Sequence, residues 1–471
     1  MLRASGANVD RSVSFMVNTL YLPELREYLA EQNEVELREF CTALHPARTA
    51  EFMEGLTASE SWEVLKHAEP RLREQIFIYF DHDKQIELLE GQKRSEVASL
   101  IEVLASDDRV DLIHELQPET VDELLPLVSP DVRRNIQRLR SYPEGTAGAV
   151  MSTEFARLPE ALTAREALSE LSRQAEHLET IYYIYVVDNE GHLRGTVTTR
   201  QLVSAIGKPD VRLGDLMETE LIVAHVREDQ EEVARKVARY DLLAIPVVDD
   251  ELRMLGIVTH DDIIDVVREE AVEDVQRMAG VTPLDESYLR THVLTLSWKR
   301  GMWLAILFFT ALFTASALKY YEERLKVWPW LIMFIPLIMS SGGNSGNQSA
   351  TLIISAMSTG DVTLRDWLRV IRRELLVGLL LGGFLAGCGF LVSWLLTRNE
   401  PLAQTYRFAW LIVPSTLILV VSCGALFGSL LPMLFKRLGL DPALMSNPFV
   451  AGISDILAIV IYMTVASLLL G

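Results

Sequence analysis

The stretch IPLIMSSGGNSGNQSATLIISAMSTG (335–360) holds no charged residue, yet it spends seven consecutive positions, Gly342 to Gln348, on Gly, Asn, Ser and Gln. In a soluble chain it would be a loop. Its flanks argue otherwise: apolar segments occur at 301–318, 331–357, 375–397, 408–431 and 447–470, each near the roughly 20 residues that a helix needs to cross the hydrocarbon core. The stretch therefore falls inside the second of five expected spans. Gly and amides are tolerated at that depth only where they face protein or water. Two readings follow, a small-residue seam against another helix and the wall of a polar conduit, and the second is favoured.

Short flanks orient the spans, since cytoplasmic loops collect Lys and Arg. With the preceding region inside, the inner flanks hold Lys299, Arg300, Arg365, Arg369, Arg372, Arg373, Lys436 and Arg437, against Lys319, Arg324, Lys326, Arg398 and Arg407 outside. The expectation is a multi-pass protein of the inner (cell) membrane with cytoplasmic N-terminal domains and an external C-terminus. The N-terminus lacks the apolar core of a signal peptide.

The last span carries one ionisable residue, Asp455. Such a group is costly in lipid and marks a partner or an aqueous path. Asn447, Ala451 and Asp455 share a helix face at i, i+4 and i+8, and Pro448 is expected to free a backbone carbonyl nearby. Carboxylate, amide and carbonyl are hard oxygen donors suited to Mg²⁺, Ca²⁺ or Mn²⁺. A protonatable Asp of a proton-coupled carrier and a structural Asp bonded to a neighbouring helix are the rival readings.

The net charge of −21 is carried mainly before residue 288, which disfavours nucleic acid as a partner and suits cations. Cys41, Cys388 and Cys423 have no metal-site or disulfide spacing. Residues 44–139 alternate Leu, Ile and Val at helical spacing with Pro, Gly and Asp turns, which suggests a helical superhelix. Two strand-containing copies follow, ending IYYIYVVDNEGHLRGTVTTRQLVSAI and LLAIPVVDDELRMLGIVTHDDIIDVV. No nucleophile, base or phosphate loop points to an enzyme.

These tandem copies resemble cystathionine-β-synthase (CBS) domains. Together with GGNSGNQSATLIISA, DPALMSNPFVAGISD and the five spans, the whole chain resembles the MgtE family of Mg²⁺ channels and transporters. The resemblance implies a multidomain fold: an N-terminal all-α superhelical domain (1–140), tandem α/β CBS domains (141–208 and 209–268), a connecting helix (269–298) and a five-helix α-helical transmembrane domain (299–471). It further implies a homodimer in membrane lipid, with Mg²⁺ as both substrate and regulator. Asp455 would be the pore carboxylate, with Asn447, Ala451 and Asn344 beside it. Closure at high cytoplasmic Mg²⁺ would use Asp107, Asp111, Glu231, Asp241, Asp262, Asp265, Glu270, Glu273, Asp274 and Asp441, because crowded carboxylates repel unless divalent ions neutralise them. One departure weakens that regulation: near Glu74, Gln75 stands where an acid is expected.

CBS domains also bind adenosine through Gly-x-x-Thr-x-x-Asp. The second copy has Gly256, Thr259 and Asp262, which makes ATP an additional expected ligand; the first keeps Gly195 and Thr198 but has Gln201 in place of the Asp. Two other functions remain open, a carrier of Co²⁺, Mn²⁺ or Ca²⁺ and a membrane-anchored CBS sensor.

Overall fold

The computed structural model describes residues 20–284, 288–289, 291–397, 408–444 and 447–470. The chain divides into two compact units, Met1–Val267 and Arg268–Gly471.

The first unit opens with ten short helices among the described residues, α1 (Leu22–Glu31) to α10 (Pro130–Leu139). Several start on Pro at the first turn, where its missing N–H costs nothing, as in Pro46, Pro70, Pro118 and Pro130. Their apolar stripes meet in one core around Trp62, Leu65, Phe77, Leu88 and Leu89. A recurring side chain closes three of the joints. Arg73, Arg109 and Arg133 each donate Nε to the carbonyl eight residues earlier, those of Leu65, Ile101 and Leu125 at 2.9, 2.8 and 2.6 Å. Orphan carbonyls at a helix end are thus satisfied by a cation, which also suits the negative end of the helix dipole.

Two three-stranded sheets follow, with matching topology. In the first, β1 (Phe155–Pro159) pairs parallel with β2 (Thr180–Val187), which pairs antiparallel with β3 (Leu193–Thr198); α11 (Ala164–Gln174) makes the crossover. After α12 (Thr199–Ser204) and the short α13 (Leu213–Leu216), the second repeats the order with β4 (Ala224–His225), α14 (Gln230–Tyr240), β5 (Ala244–Val248) and β6 (Met254–Thr259). The copies join reciprocally: Leu193 N–H donates to Leu252 O at 2.9 Å, and Met254 N–H to Gly191 O at 3.0 Å. Between them Phe155, Tyr185 and Leu193 pack with Val248, Met254 and Ile257. The helix α15 (His260–Met278) leaves the second copy directly from β6.

The second unit is helical: α16 (Val293–Tyr320), α17 (Glu322–Val327), α18 (Ile335–Ser358), α19 (Trp367–Thr397), α20 (Ile412–Arg437) and α21 (Asn447–Leu470). Among the described residues four helical stretches are long and apolar enough to cross a membrane: Val293–Tyr320, Leu364–Leu395, Ala409–Arg437 and Asn447–Leu470. The expected count of five is therefore refined. The second span forms α18, long enough at 24 residues but too rich in Gly, Ser and amides to qualify on apolarity. The expected spans at 375–397 and 408–431 also lengthen toward their charged flanks, and Arg398 and Arg407 lie outside the described residues.

Candidate functional site

Small residues let α18 come close to α20. A Cβ on Gly424 would lie 2.5 Å from Gly342 O, and one on Gly428 only 2.1 Å from Gly346 O. Two Gly-x-x-x-Gly pairs thus bring backbone against backbone, as membrane helices do where side chains would hold them apart. Beside this seam, Ser345 Oγ donates to Val421 O at 3.0 Å and Ser349 Oγ to Glu374 Oε2 at 2.6 Å. Glu374, 9% exposed on α19, is a buried carboxylate within the apolar stretch Leu364–Leu395, and the sequence reading passed over it because it stands just before the expected span at 375–397.

The neighbouring face of α18 meets α21. A Cβ on Gly343 would lie 3.6 Å from Ala451 Cβ and 3.9 Å from Asp455 Oδ1. One turn toward the end of α18, Asn347 Oδ1 is buried with no hydrogen-bond partner, and so is Ser454 Oγ on α21. Further along, Thr351 Oγ1 donates to Asn447 Oδ1 at 3.2 Å. The structure therefore brings Asn447, Ala451 and Asp455 along one edge of α18. Asp455 is half-buried, and no hydrogen bond or ion pair reaches it from the described residues. Asn344 is exposed and, among the described residues, donates only to Ser340 Oγ, at 3.3 Å. The expectation for Pro448 needs correcting: α21 begins at Asn447, so the proline sits in the first turn, where no intrahelical bond is lost.

The expected regulatory acids separate into groups. The first gathers around Asp107, at the start of α8 (Ser106–Glu115). Asp107 is 7% exposed and its Oδ1 has no partner; burial first, then Asp262, Asp108 and Glu179, push its carboxyl well above the usual range. Burial, then Asp262, Asp261 and Asp265, raises Asp108 to about 6, and burial, then Asp262 and Asp108, raises Glu179 to about 7. Burial, followed by Asp108, raises Glu74 to about 7. Glu74 stands next to Gln75, the position where an acid is expected. Asp108, Glu179, Asp261 and Glu74 were missed as members, since each stands beside an expected position or on a different domain. Among the described residues no three His, Cys, Asp or Glu side chains come close enough to hold one metal ion.

Docking of α8 has its own cap. Glu154 Oε2, just before β1, accepts from Ser106 Oγ at 2.5 Å and Ser106 N–H at 3.3 Å, and so puts a carboxylate at the positive end of the helix.

Asp111 is exposed on α8, and Asp241 is exposed at the end of α14 with φ +50°. Glu231 faces Arg235 at 3.5 Å. In the second unit, Arg277 pairs with Glu273 and with Asp441. Burial first, then Asp441 and Glu270, push Asp274 up, while Arg277 pulls it down.

The Gly-x-x-Thr-x-x-Asp positions have structural work as well. A Cβ on Gly256 would meet Ser152 O at 2.7 Å, and one on Gly195 Met217 Sδ at 2.7 Å. Asp262 Oδ2 accepts from Thr259 Oγ1 at 2.6 Å and Thr259 N–H at 3.1 Å. Gln201 does the same for Thr198, at 2.8 and 2.7 Å, so the first copy keeps the cap without the charge. Asp262 Oδ1 has no partner among the described residues, which leaves it open to a hydroxyl or an ion's water.

Comparison with known proteins gives concordant matches along the chain. Residues 335–465 match the family described as MgtE, divalent cation transporter; 44–145 match the MgtE intracellular N domain, and 147–208 and 213–269 match the CBS domain. The chain is 37% identical over 449 residues to the magnesium transporter MgtE of Thermus thermophilus, covering 95% of this chain and 98% of that one. It is 33% identical over 446 residues to the magnesium transporter MgtE of Enterococcus faecalis, covering 94% and 96%. A crystal structure of the soluble part of a magnesium transporter matches at 35% identity with a TM-score of 0.50, covering 53% of this chain and 97% of that chain.

Proposed function

The chain belongs to the MgtE family of divalent cation transporters, and from that premise we propose that it carries Mg²⁺ inward across the cell membrane as a channel-like conduit. The observation that carries the reading is Asp455: an acid in the last apolar helix, half-buried, with no hydrogen bond or ion pair from the described residues. A structural Asp would have a neighbour's donor. Mg²⁺ gives up water reluctantly, so a wet path lined by Asp455, Asn447, Ala451 and Asn344 suits the hydrated ion. The proposed assembly is a homodimer in lipid; α16, on which no residue is buried, has surface free for a second copy or for lipid. In a homodimer two Asp455 carboxylates would stand near the shared axis, with the N-terminal domains on the cytoplasmic side and the C-terminus outside.

Regulation is the second part of the proposal: cytoplasmic Mg²⁺ closes the conduit. Its support is the buried, unpartnered Asp107 Oδ1 facing Asp262, Asp108 and Glu179, a group that like-charge repulsion holds apart and a divalent cation would draw together. Asp265, Glu270, Glu273, Asp274, Asp441, Asp111, Glu231 and Asp241 are the further acids of the proposed sensor. ATP at Gly256, Thr259 and Asp262 is the accompanying proposal, and there Asp262 would be shared between nucleotide and cation.

The test is Mg²⁺ uptake by proteoliposomes with a Mg²⁺-sensitive dye inside. Asp455→Asn should lose most of the wild-type flux, since the amide keeps the shape and drops the charge. Equal flux from the two proteins would refute the conduit assignment. Co²⁺, Mn²⁺ and Ca²⁺ as competitors would rank the ions.

A further inference from the structure

The regulatory reading uses acids only, yet a cation stands among them. Arg277, near the end of α15, pairs through Nη2 with Glu273 Oε1 one turn back, and through Nη1 with Asp441 Oδ2, far along the chain. Asp441 is itself fixed, its Oδ1 accepting from the Ala443 N–H at 2.8 Å. The three side chains are 31%, 31% and 29% exposed, so water screens this fork less than it would a surface pair. Asp441 opens the short link into α21, the helix of Asn447 and Asp455.

We propose that Arg277 is a positioning residue that ties the end of α15 to the base of α21, so that any displacement of α15 is passed to the helix carrying Asp455. This inference rests on the reading of α15 as part of a Mg²⁺-responsive region. Guanidinium suits the task because its planar fork can hold carboxylates on two elements at once, whereas an ammonium is a point charge. The tie needs no metal, since Arg277 supplies the positive charge. Glu270 and Asp274 share its surroundings, so losing Arg277 would leave the acids repelling one another at the place where α15 meets the link.

Two readouts on the full-length protein test it. One is Mg²⁺ protection of the soluble region from protease; the other is open probability in planar bilayers with Mg²⁺ titrated on the soluble-region side. Arg277→Gln should leave the protection midpoint near wild type and raise the Mg²⁺ needed for closure about tenfold, within the usual range of coupling between sites. Arg277→Lys should fall between the two. Reversing the pair, Arg277→Asp with Asp441→Arg, should close at lower Mg²⁺ than either single variant, the signature of a direct interaction; this arm also keeps the test valid if Arg277→Gln folds poorly. Closure of Arg277→Gln at the wild-type Mg²⁺ concentration, or a reversed pair no better than its singles, would overturn the tie while leaving the sensor reading intact. Wild-type protein that neither gains protection nor closes with Mg²⁺ would remove the sensor reading, and the tie with it.

Discussion

Asp107 and Asp455 each hold a carboxylate oxygen that no donor reaches among the described residues, but they differ in what surrounds them. Asp455 has Gly343 for a neighbour, a residue that offers space and no dipole. Asp107 is enclosed and ringed by like charge, which makes it expensive to ionise in the absence of a cation. Asp107→Asn should therefore stabilise the metal-free soluble region, by about 1 kcal/mol or roughly 2–4 °C for a unit of this size. Thermal unfolding in chelator checks this, and Mg²⁺ should add less to the variant than to wild type. A melting point lowered in chelator would mean that the carboxylate is satisfied after all. The sequence could nominate both acids, one by its isolation in an apolar run and the other by resemblance. It could not show that Glu179 joins Asp107, because that meeting depends on how a helical domain docks on a sheet domain.

The seven polar positions in α18 show how an element divides work that its sequence leaves pooled. Gly342 and Ser345 turn to α20, Gly343 to α21 and Gly346 to both, while Asn344 and Gln348 are exposed. The small-residue seam is thus made by one face of the helix, and the proposed conduit wall has the exposed Asn344 and Gln348 on another. Helical periodicity alone could not sort them, since every residue in the run is small or polar and no apolar stripe marks the buried side. Gly428→Ala should be costly, with its Cβ 2.1 Å from the Gly346 carbonyl: overpacking of this kind costs about 1–3 kcal/mol. Gly387→Ala on α19, where a Cβ meets nothing within 4 Å, is the matched control and should behave as wild type. Thermostability in detergent, read by size-exclusion chromatography after heating, separates them; equal loss in both would deny the seam.

Across the soluble region, acids held above their ordinary range make stability depend on pH with a definite sign. Asp108 near 6 and Glu74 near 7 bind protons more tightly folded than unfolded, where carboxyls titrate near 4. Folding therefore takes up protons between about pH 4 and 7, and stability declines as pH rises through that window. Metal-free protein should unfold at higher temperature at pH 5.5 than at pH 7.5, and saturating Mg²⁺ should narrow the gap. A gap of opposite sign, or one that Mg²⁺ leaves untouched, would dissociate these acids from cation binding. At this scale the sequence was most informative about kinds of domain and least about joints. The helical repeat was legible from its turns, but the arginines that close it, Arg73, Arg109 and Arg133, looked like ordinary surface cations. The matching sheets were legible from their Val-Val-Asp and Gly-led strands; their reciprocal backbone bonds required coordinates.

The polarity of α18 reaches back to the moment of synthesis. A segment that fails the apolarity threshold met by its four companions gains little by entering lipid alone, since its amides and exposed glycine backbone would lose water and receive nothing in exchange. Its complement, the Gly424 and Gly428 face of α20, leaves the ribosome later. The nascent chain must accordingly shelter an unfinished helix at the translocon until its partner arrives, and a change that delays or weakens that pairing should be felt first as poor biogenesis, before any ion is moved.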